Sequence, residues 1–103
     1  MISVKVSYTV KPAFVEQNKK NISAFLDDFK KIKDANFLYN VYLQEDNLTF
    51  LHVSMYEDET VQNTVLNTPS FLKFQSERDQ SGLNNSHQLE KLQLLGSSLS
   101  LIQ

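Results

Sequence analysis

The 103-residue sequence predicts an α+β domain of ferredoxin-like order, β-α-β-β-α-β, in which an antiparallel sheet carries its helices on one face. Three observations predict it. Apolar residues fall at every second position from Ile2 to Val10; an apolar stripe at spacings of three and four follows; two β-rich runs split by a short polar turn come next.

Ile2, Val4, Val6, Tyr8 and Val10 have the period of a strand with one buried face. Pro12 suits the first turn of a helix, where an N–H would have no partner. Val15, Asn18, Ile22, Phe25, Phe29 and Ile32 then mark a long amphipathic helix. Asn18, the one polar member of that stripe, reads as a position near the helix end that touches water. Lys30, Lys31 and Lys33 fall where cations complement the negative end of the helix dipole.

"NFLYNVYLQEDNLTFLHVSMY" predicts a hairpin, because the Asp and Asn of "QEDN" favour a tight turn between β-rich runs. With an even-numbered turn, Phe37, Tyr39, Val41 and Leu43 share a sheet face with Phe50, His52, Ser54 and Tyr56. Leu38, Tyr42, Leu51, Val53 and Met55 then lie opposite. "EDETVQNTVLNTPSFLKFQSERDQ" divides into two short helices, the first capped by Asp58 and the second opened by Thr68-Pro69, with Val61, Val65, Phe71, Leu72 and Phe74 as buried residues. After the polar loop "DQSGLNNSH", the stretch "QLEKLQLLGSSLSLIQ" admits strand or helix; lying between Gly82 and Gly96 and following a helix pair, it reads as a fourth strand with a tail past Gly96. One domain spans residues 1–103, without internal repeat or linker.

Composition removes several classes of function. Ten basic against twelve acidic residues give a net charge of −2, which supplies no field for a nucleic acid. The absence of cysteine excludes disulfides, thiolate metal sites and a cysteine nucleophile. Two histidines far apart in the chain speak against a metal site. With two glycines there is neither a phosphate-cradling loop nor a dinucleotide fingerprint, and no Gly-x-Ser-x-Gly elbow is present. Asp27, Asp28, Glu57, Asp58 and Glu59 fall at helix surface or cap positions, a weak basis for an acid/base dyad. No apolar run reaches the roughly 18 residues of a membrane span, so a soluble, cytoplasmic protein with no membrane partner is expected.

Helices cover one face of the sheet, yet both faces of the central hairpin are largely apolar. The second face needs another sheet, and a twofold-related copy of the chain is the common way to supply one. A homodimer is therefore expected.

The succession "VSYTVKPAFVEQ", "FLYNVY" and "FLHVSMYEDETVQNTVLNTPSFLKF" resembles the antibiotic biosynthesis monooxygenase domain family of dimeric α/β barrels, of the quinol monooxygenase type. The match runs from about Ile2 to about Leu95. It rests on the order and spacing of Lys11-Pro12-Ala13 after the first strand, Tyr39 in the second, Tyr56-Glu57-Asp58-Glu59 at a strand end, and Thr68-Pro69-Ser70-Phe71 opening a helix. The resemblance implies a homodimer whose sheets close into a barrel, with a pocket between sheet and helices in each subunit. Relatives include cofactor-free oxygenases acting on phenolic or quinol-type molecules, haem-degrading enzymes and members of no assigned activity. The histidine ligand of the haem degraders falls here at Gln75 and their pocket tryptophan at Val65, which sets haem degradation aside. Tyr56 stands where the family often has Trp, and Ser54 where an acidic residue is common.

Cofactor-independent oxygenation of a small aromatic molecule needs a dry pocket, a group that helps to deprotonate a phenol, and hydrogen bonds that hold the anion. His52 and Tyr56 are the candidate catalytic residues. Phe37, Tyr39, Phe50, Ser54, Val65, Phe71 and Arg78 are candidate substrate-binding residues. Each has a plainer alternative: His52 a buried imidazole satisfied by a neighbouring hydroxyl or backbone group, Tyr39 a core residue with its hydroxyl at a rim, Arg78 a surface charge beside Glu77 and Asp79, and His87 an exposed loop residue. The alternative to an enzyme is a non-catalytic homodimeric binding or interaction module. That alternative predicts a filled interior, and the ligand reading a cavity of about 300 Å³ or more beside Tyr56.

Overall fold

The computed structural model describes residues 1–82 and 86–99. Its elements are β1 (Ile2–Thr9), α1 (Val15–Phe29), β2 (Phe37–Leu43), β3 (Thr49–Tyr56), α2 (Glu59–Leu66), α3 (Pro69–Glu77) and β4 (Gln88–Leu92). The four strands form one sheet in the order β2-β3-β1-β4, every neighbouring pair antiparallel. This is the ferredoxin-like α+β arrangement that the periodicities imply.

The hairpin register is the one that sorts side chains by face. Phe37 lies opposite Tyr56, Tyr39 opposite Ser54, Val41 opposite His52 and Leu43 opposite Phe50. Its turn is fixed by Asp46, whose carboxylate accepts hydrogen bonds from the Leu48 N–H (2.9 Å), the Thr49 N–H (2.8 Å) and the Thr49 hydroxyl (2.6 Å). Those three donors hold its pKa below the ordinary carboxylate value. Asn47 takes the left-handed conformation, φ 60°, that an Asx-type turn tolerates. Asp58 caps α2 by accepting from the Val61 N–H at 2.9 Å.

Several expectations need correction. Pro12–Phe14 form a separate 3₁₀ turn, so α1 begins at Val15, and Ile32 lies beyond its end. The fourth strand covers only Gln88–Leu92, and residues 93–99 run on without regular structure. The first part of the predicted polar loop is a π turn, Arg78–Gly82; residues 83–85 and the tail after 99 lie outside the described residues. Leu72 is 46% exposed, because it sits between the inward-facing Phe71 and Phe74 on a nine-residue helix and so points away from the sheet. Asn18 is fully buried rather than wetted. The first turn of α1 lies over β1, and the Asn18 amide donates there to the Tyr8 hydroxyl oxygen at 3.0 Å.

The core is aromatic. The Phe25 ring is fully buried and lies 5.1 Å from Phe29, 5.0 Å from Phe71 and 5.0 Å from Phe74, centroid to centroid. Edge-on and tilted pairs of this kind add to the burial term. On the opposite sheet face Leu38, Tyr42, Leu51, Val53 and Met55 line up between the strands, with Tyr42 55% exposed.

Phe25→Ala is expected to cost about 3–5 kcal/mol and Leu72→Ala less than about 0.5 kcal/mol. Urea denaturation of the two variants checks both, and equal losses would contradict the placement of α3.

Candidate functional site

A cavity of about 580 Å³ lies between the sheet and the helix pair. Its floor comes from inward positions of the strands: Val4 and Val6 of β1, Tyr39 of β2, and His52, Ser54 and Tyr56 of β3. Phe71, Phe74 and Gln75 of α3 and Leu66 of α2 form the opposite wall. Glu59, His87 and Lys91 border it with exposed side chains, and Arg78 closes one end. The sheet register explains the space. Val4, Val6 and Ser54 are small and pair with one another or with β4, whereas Tyr8 and Phe50 fill the adjoining layer.

His52 is 2% exposed, and hydroxyls engage both of its ring nitrogens: Tyr8 Oη is 2.8 Å from Nε2 and Tyr39 Oη 2.7 Å from Nδ1. Its ring stacks on Phe74 at 5.2 Å and meets Tyr39 edge-on at 5.6 Å. Burial, with smaller contributions from the Arg78 and His87 charges, lowers its pKa to about 3, so the imidazole is neutral at pH 7. Burial also raises the pKa of Tyr8, Tyr39 and Tyr56; Asn18 and Arg78 partly offset this at Tyr8, and the Ser54 hydroxyl at Tyr56. All three phenols keep their protons at neutral pH.

Arg78 is 7% exposed, so the surface-charge alternative is not what the fold gives it. It stands where α3 passes into the π turn, a local unwinding frequent at functional sites. The widened turn lays the guanidinium over two rings, 5.4 Å from the Tyr8 centroid and 5.3 Å from that of Phe74. Its Nε and Nη2 both reach Asp79 Oδ1 at 3.0 Å.

Tyr39, His52, Ser54, Tyr56, Phe71 and Arg78 thus meet at one cavity, and three candidates do not. Phe50 is 2% exposed and stacks on Tyr8; Val65 is fully buried in the core; Phe37 packs against Phe29 and lines a separate cavity of about 380 Å³ with Leu26 and Ile32. Sequence reasoning missed Tyr8 and Asn18 as polar partners. The signal was there: β1 pairs with β3 in this fold, which sets two inward polar residues, Tyr8 and His52, diagonally adjacent on one sheet face beneath the polar gap in the α1 stripe. His87 is exposed, as its loop position suggests. Among the described residues no cluster of three or more His, Cys, Asp or Glu side chains is placed to hold a metal ion, and no helix is long and apolar enough to cross a membrane.

A four-stranded ferredoxin-like sheet with a cavity beneath its helices defines the class of protein to which the chain is similar in structure. That class is the antibiotic biosynthesis monooxygenase domain proteins. The chain superimposes on an antibiotic biosynthesis monooxygenase with TM-score 0.79 at 9% identity, covering 93% of this chain and 100% of that one. It matches Rv0793 from Mycobacterium tuberculosis with TM-score 0.78 at 13% identity (95% and 98% covered), and PA3566 from Pseudomonas aeruginosa with TM-score 0.75 at 18% identity (92% and 94%). Further neighbours, from Nitrosomonas europaea and Caulobacter crescentus, bear the same family name. At such identities the likeness establishes the fold. No family profile and no curated protein sequence matches the chain.

A histidine held at a pKa of about 3 in the fold and at its ordinary 6.5 when unfolded makes stability depend on pH. Between these values the unfolded chain binds a proton that the folded chain does not, so stability is full above about pH 6.5 and declines as pH falls. A loss of about 1.5 kcal/mol from this group is expected between about pH 6.5 and pH 5. Urea titrations across that range, with the His52 ring signal followed by NMR, check it; a ring that titrates near pH 6 would contradict the site as described.

Proposed function

We propose that the chain is a homodimer whose cavity binds a small aromatic phenol or quinol and oxidises it with O₂ without a cofactor. The observation that carries this reading is the cavity of about 580 Å³, which joins an aromatic wall to Tyr39, Tyr56 and a buried arginine. An interaction module needs no such space. Pockets for small ligands fall in the range of about 300–1,000 Å³, mostly apolar with a few placed polar groups.

The chemistry asked of the protein is modest. A quinol and O₂ give a hydroxyquinone and water: one oxygen atom enters the ring, the other leaves as water, and the quinol supplies all the electrons. The protein has to favour the quinol anion, exclude bulk water and hold the ring. Arg78 supplies the charge that favours an anion, Tyr56 and Tyr39 supply hydroxyls, and Phe71 and Phe74 supply the apolar wall. His52, neutral and bonded on both sides, acts through the Tyr39 hydroxyl.

The neighbours' family name supports an oxygenase over other ligand-binding functions. Dimerisation is supported by the apolar row Leu38, Tyr42, Leu51, Val53 and Met55 on the sheet face away from the helices. In oxygen-uptake assays with hydroquinones and anthrone-like phenols, turnover is expected with at least one member. Arg78→Gln should lower kcat/KM about tenfold or more, and Tyr56→Phe and His52→Ala should each reduce it. Turnover with none, or turnover indifferent to all three changes, would leave the binding module as the better account. Sedimentation at micromolar concentration should give twice the mass of the chain, and a Tyr42→Asp variant should shift it toward the monomer.

A further inference from the structure

Given that the cavity takes a ligand, we infer that Asn18 and Tyr8, neither of which lines it, order the protons of a buried chain so that Tyr39 offers a hydrogen rather than a lone pair to the ligand, which meets it with an acceptor oxygen, a phenolate or a carbonyl. The chain runs Asn18 Nδ2 to Tyr8 Oη (3.0 Å), Tyr8 Oη to His52 Nε2 (2.8 Å) and His52 Nδ1 to Tyr39 Oη (2.7 Å).

Each link fixes the next. The Asn18 amide is fully buried; its nitrogen meets Tyr8 Oη, and its Oδ1 has no partner among the described residues. The reversed amide would leave the NH₂ group in the unmatched position instead, and a buried orphan N–H is rarer and costlier than an under-used carbonyl oxygen. Asn18 is therefore the donor. Tyr8 Oη, accepting from Asn18, has its own hydrogen to give to Nε2. A neutral imidazole carries one N–H, so with Nε2 accepting, the hydrogen sits on Nδ1 and goes to Tyr39 Oη. Tyr39 then has an oxygen occupied from behind and a hydrogen left for the cavity that it and His52 both line.

Bonds aligned head to tail strengthen one another, so the Tyr39 O–H is a better donor than a lone phenol. Such a donor, preorganised beside the apolar wall of Phe71 and Phe74, stabilises an oxygen on which negative charge gathers. Asn18 and Tyr8 are thus positioning residues that select the ionised or carbonyl form of the ligand, and Arg78 adds charge of the matching sign from the end of the cavity.

The test uses the full chain with ¹⁵N-labelled histidine at neutral pH. Ring nitrogen shifts should report His52 as the Nδ1–H tautomer with Nε2 accepting, and Asn18→Leu, which removes the first donor, should lower the share of that tautomer. With 4-nitrophenol as probe, the ratio of yellow phenolate to phenol should be about tenfold higher bound than free at the same pH, and Asn18→Leu should cut that gain about threefold or more with Arg78 untouched. An Nε2–H tautomer in the parent protein overturns the inference, and so does a bound probe no more ionised than the free one. If Asn18→Leu does not fold, the parent spectrum still decides. Uptake of no probe by a protein with the expected tautomer overturns the assignment of the cavity to phenols, and the ligand half of the inference with it.

Discussion

A neutral imidazole buried among rings constrains this structure more than any other single group. Moving His52 out of water without partners would cost several kcal/mol, so both nitrogens have to be met by hydrogen-bonding groups of the protein. Tyr8 must come from the neighbouring strand and Tyr39 from the strand on the other side, which pins β1, β2 and β3 in one register around the ring. A slip of one residue in either pair would turn a hydroxyl to the far face and leave a nitrogen bare. Asn18 extends the same demand to the helix layer, since the Tyr8 oxygen lies beneath the first turn of α1. Sheet register and helix placement thus answer to one polar network within an otherwise apolar interior.

The cavity follows from side-chain size along that register. Where Phe25, Phe29, Phe50 and Phe74 meet, large rings fill the layer between sheet and helices. Toward β4 the inward positions are Val4, Val6 and Ser54, too small to reach α2, and the five residues of β4 are exposed. The space left is bounded by the same rings that desolvate His52, so low polarity at the histidine and room for a ligand are two results of one packing pattern. Arg78 is tolerated at the boundary because the π turn places it on the faces of Tyr8 and Phe74 and leaves Asp79 to share its charge.

Most of the fold was legible because it is written in periodicities. The alternation through Ile2–Val10 and the even-numbered turn around Asp46 set every inward residue of the hairpin correctly. What failed were positions whose environment depends on two elements at once. Asn18 looked like a wet helix end because nothing local reveals that Tyr8 lies beneath it. Arg78 looked like a surface charge between two acids because a π turn carries no simple sequence signal. Phe50 and Val65 belong to the filled part of the layer between sheet and helices, and Phe37 to the second cavity, distinctions that depend on the volumes of facing side chains. Leu72 shows the converse, an apolar residue left outside because α3 is too short to bury more than one narrow stripe.

Stability alone does not account for the polar chain. Replacing all partners of a satisfied buried hydrogen-bond network with hydrocarbon of similar shape is often neutral or even favourable, since the network at best recovers what desolvation removes. Phenylalanine at Tyr8 and Tyr39 and leucine at Asn18 and His52 would suit a purely structural core, and this core already uses phenylalanine at Phe25, Phe29, Phe71 and Phe74. The chain also starts on an amide whose oxygen has no partner among the described residues. It ends at the wall of the cavity, on the hydroxyl of Tyr39. On the proposed reading, a line of polar groups that ends at the cavity wall is arranged for the ligand that meets the Tyr39 hydroxyl, and its tolerance in the core follows from that use.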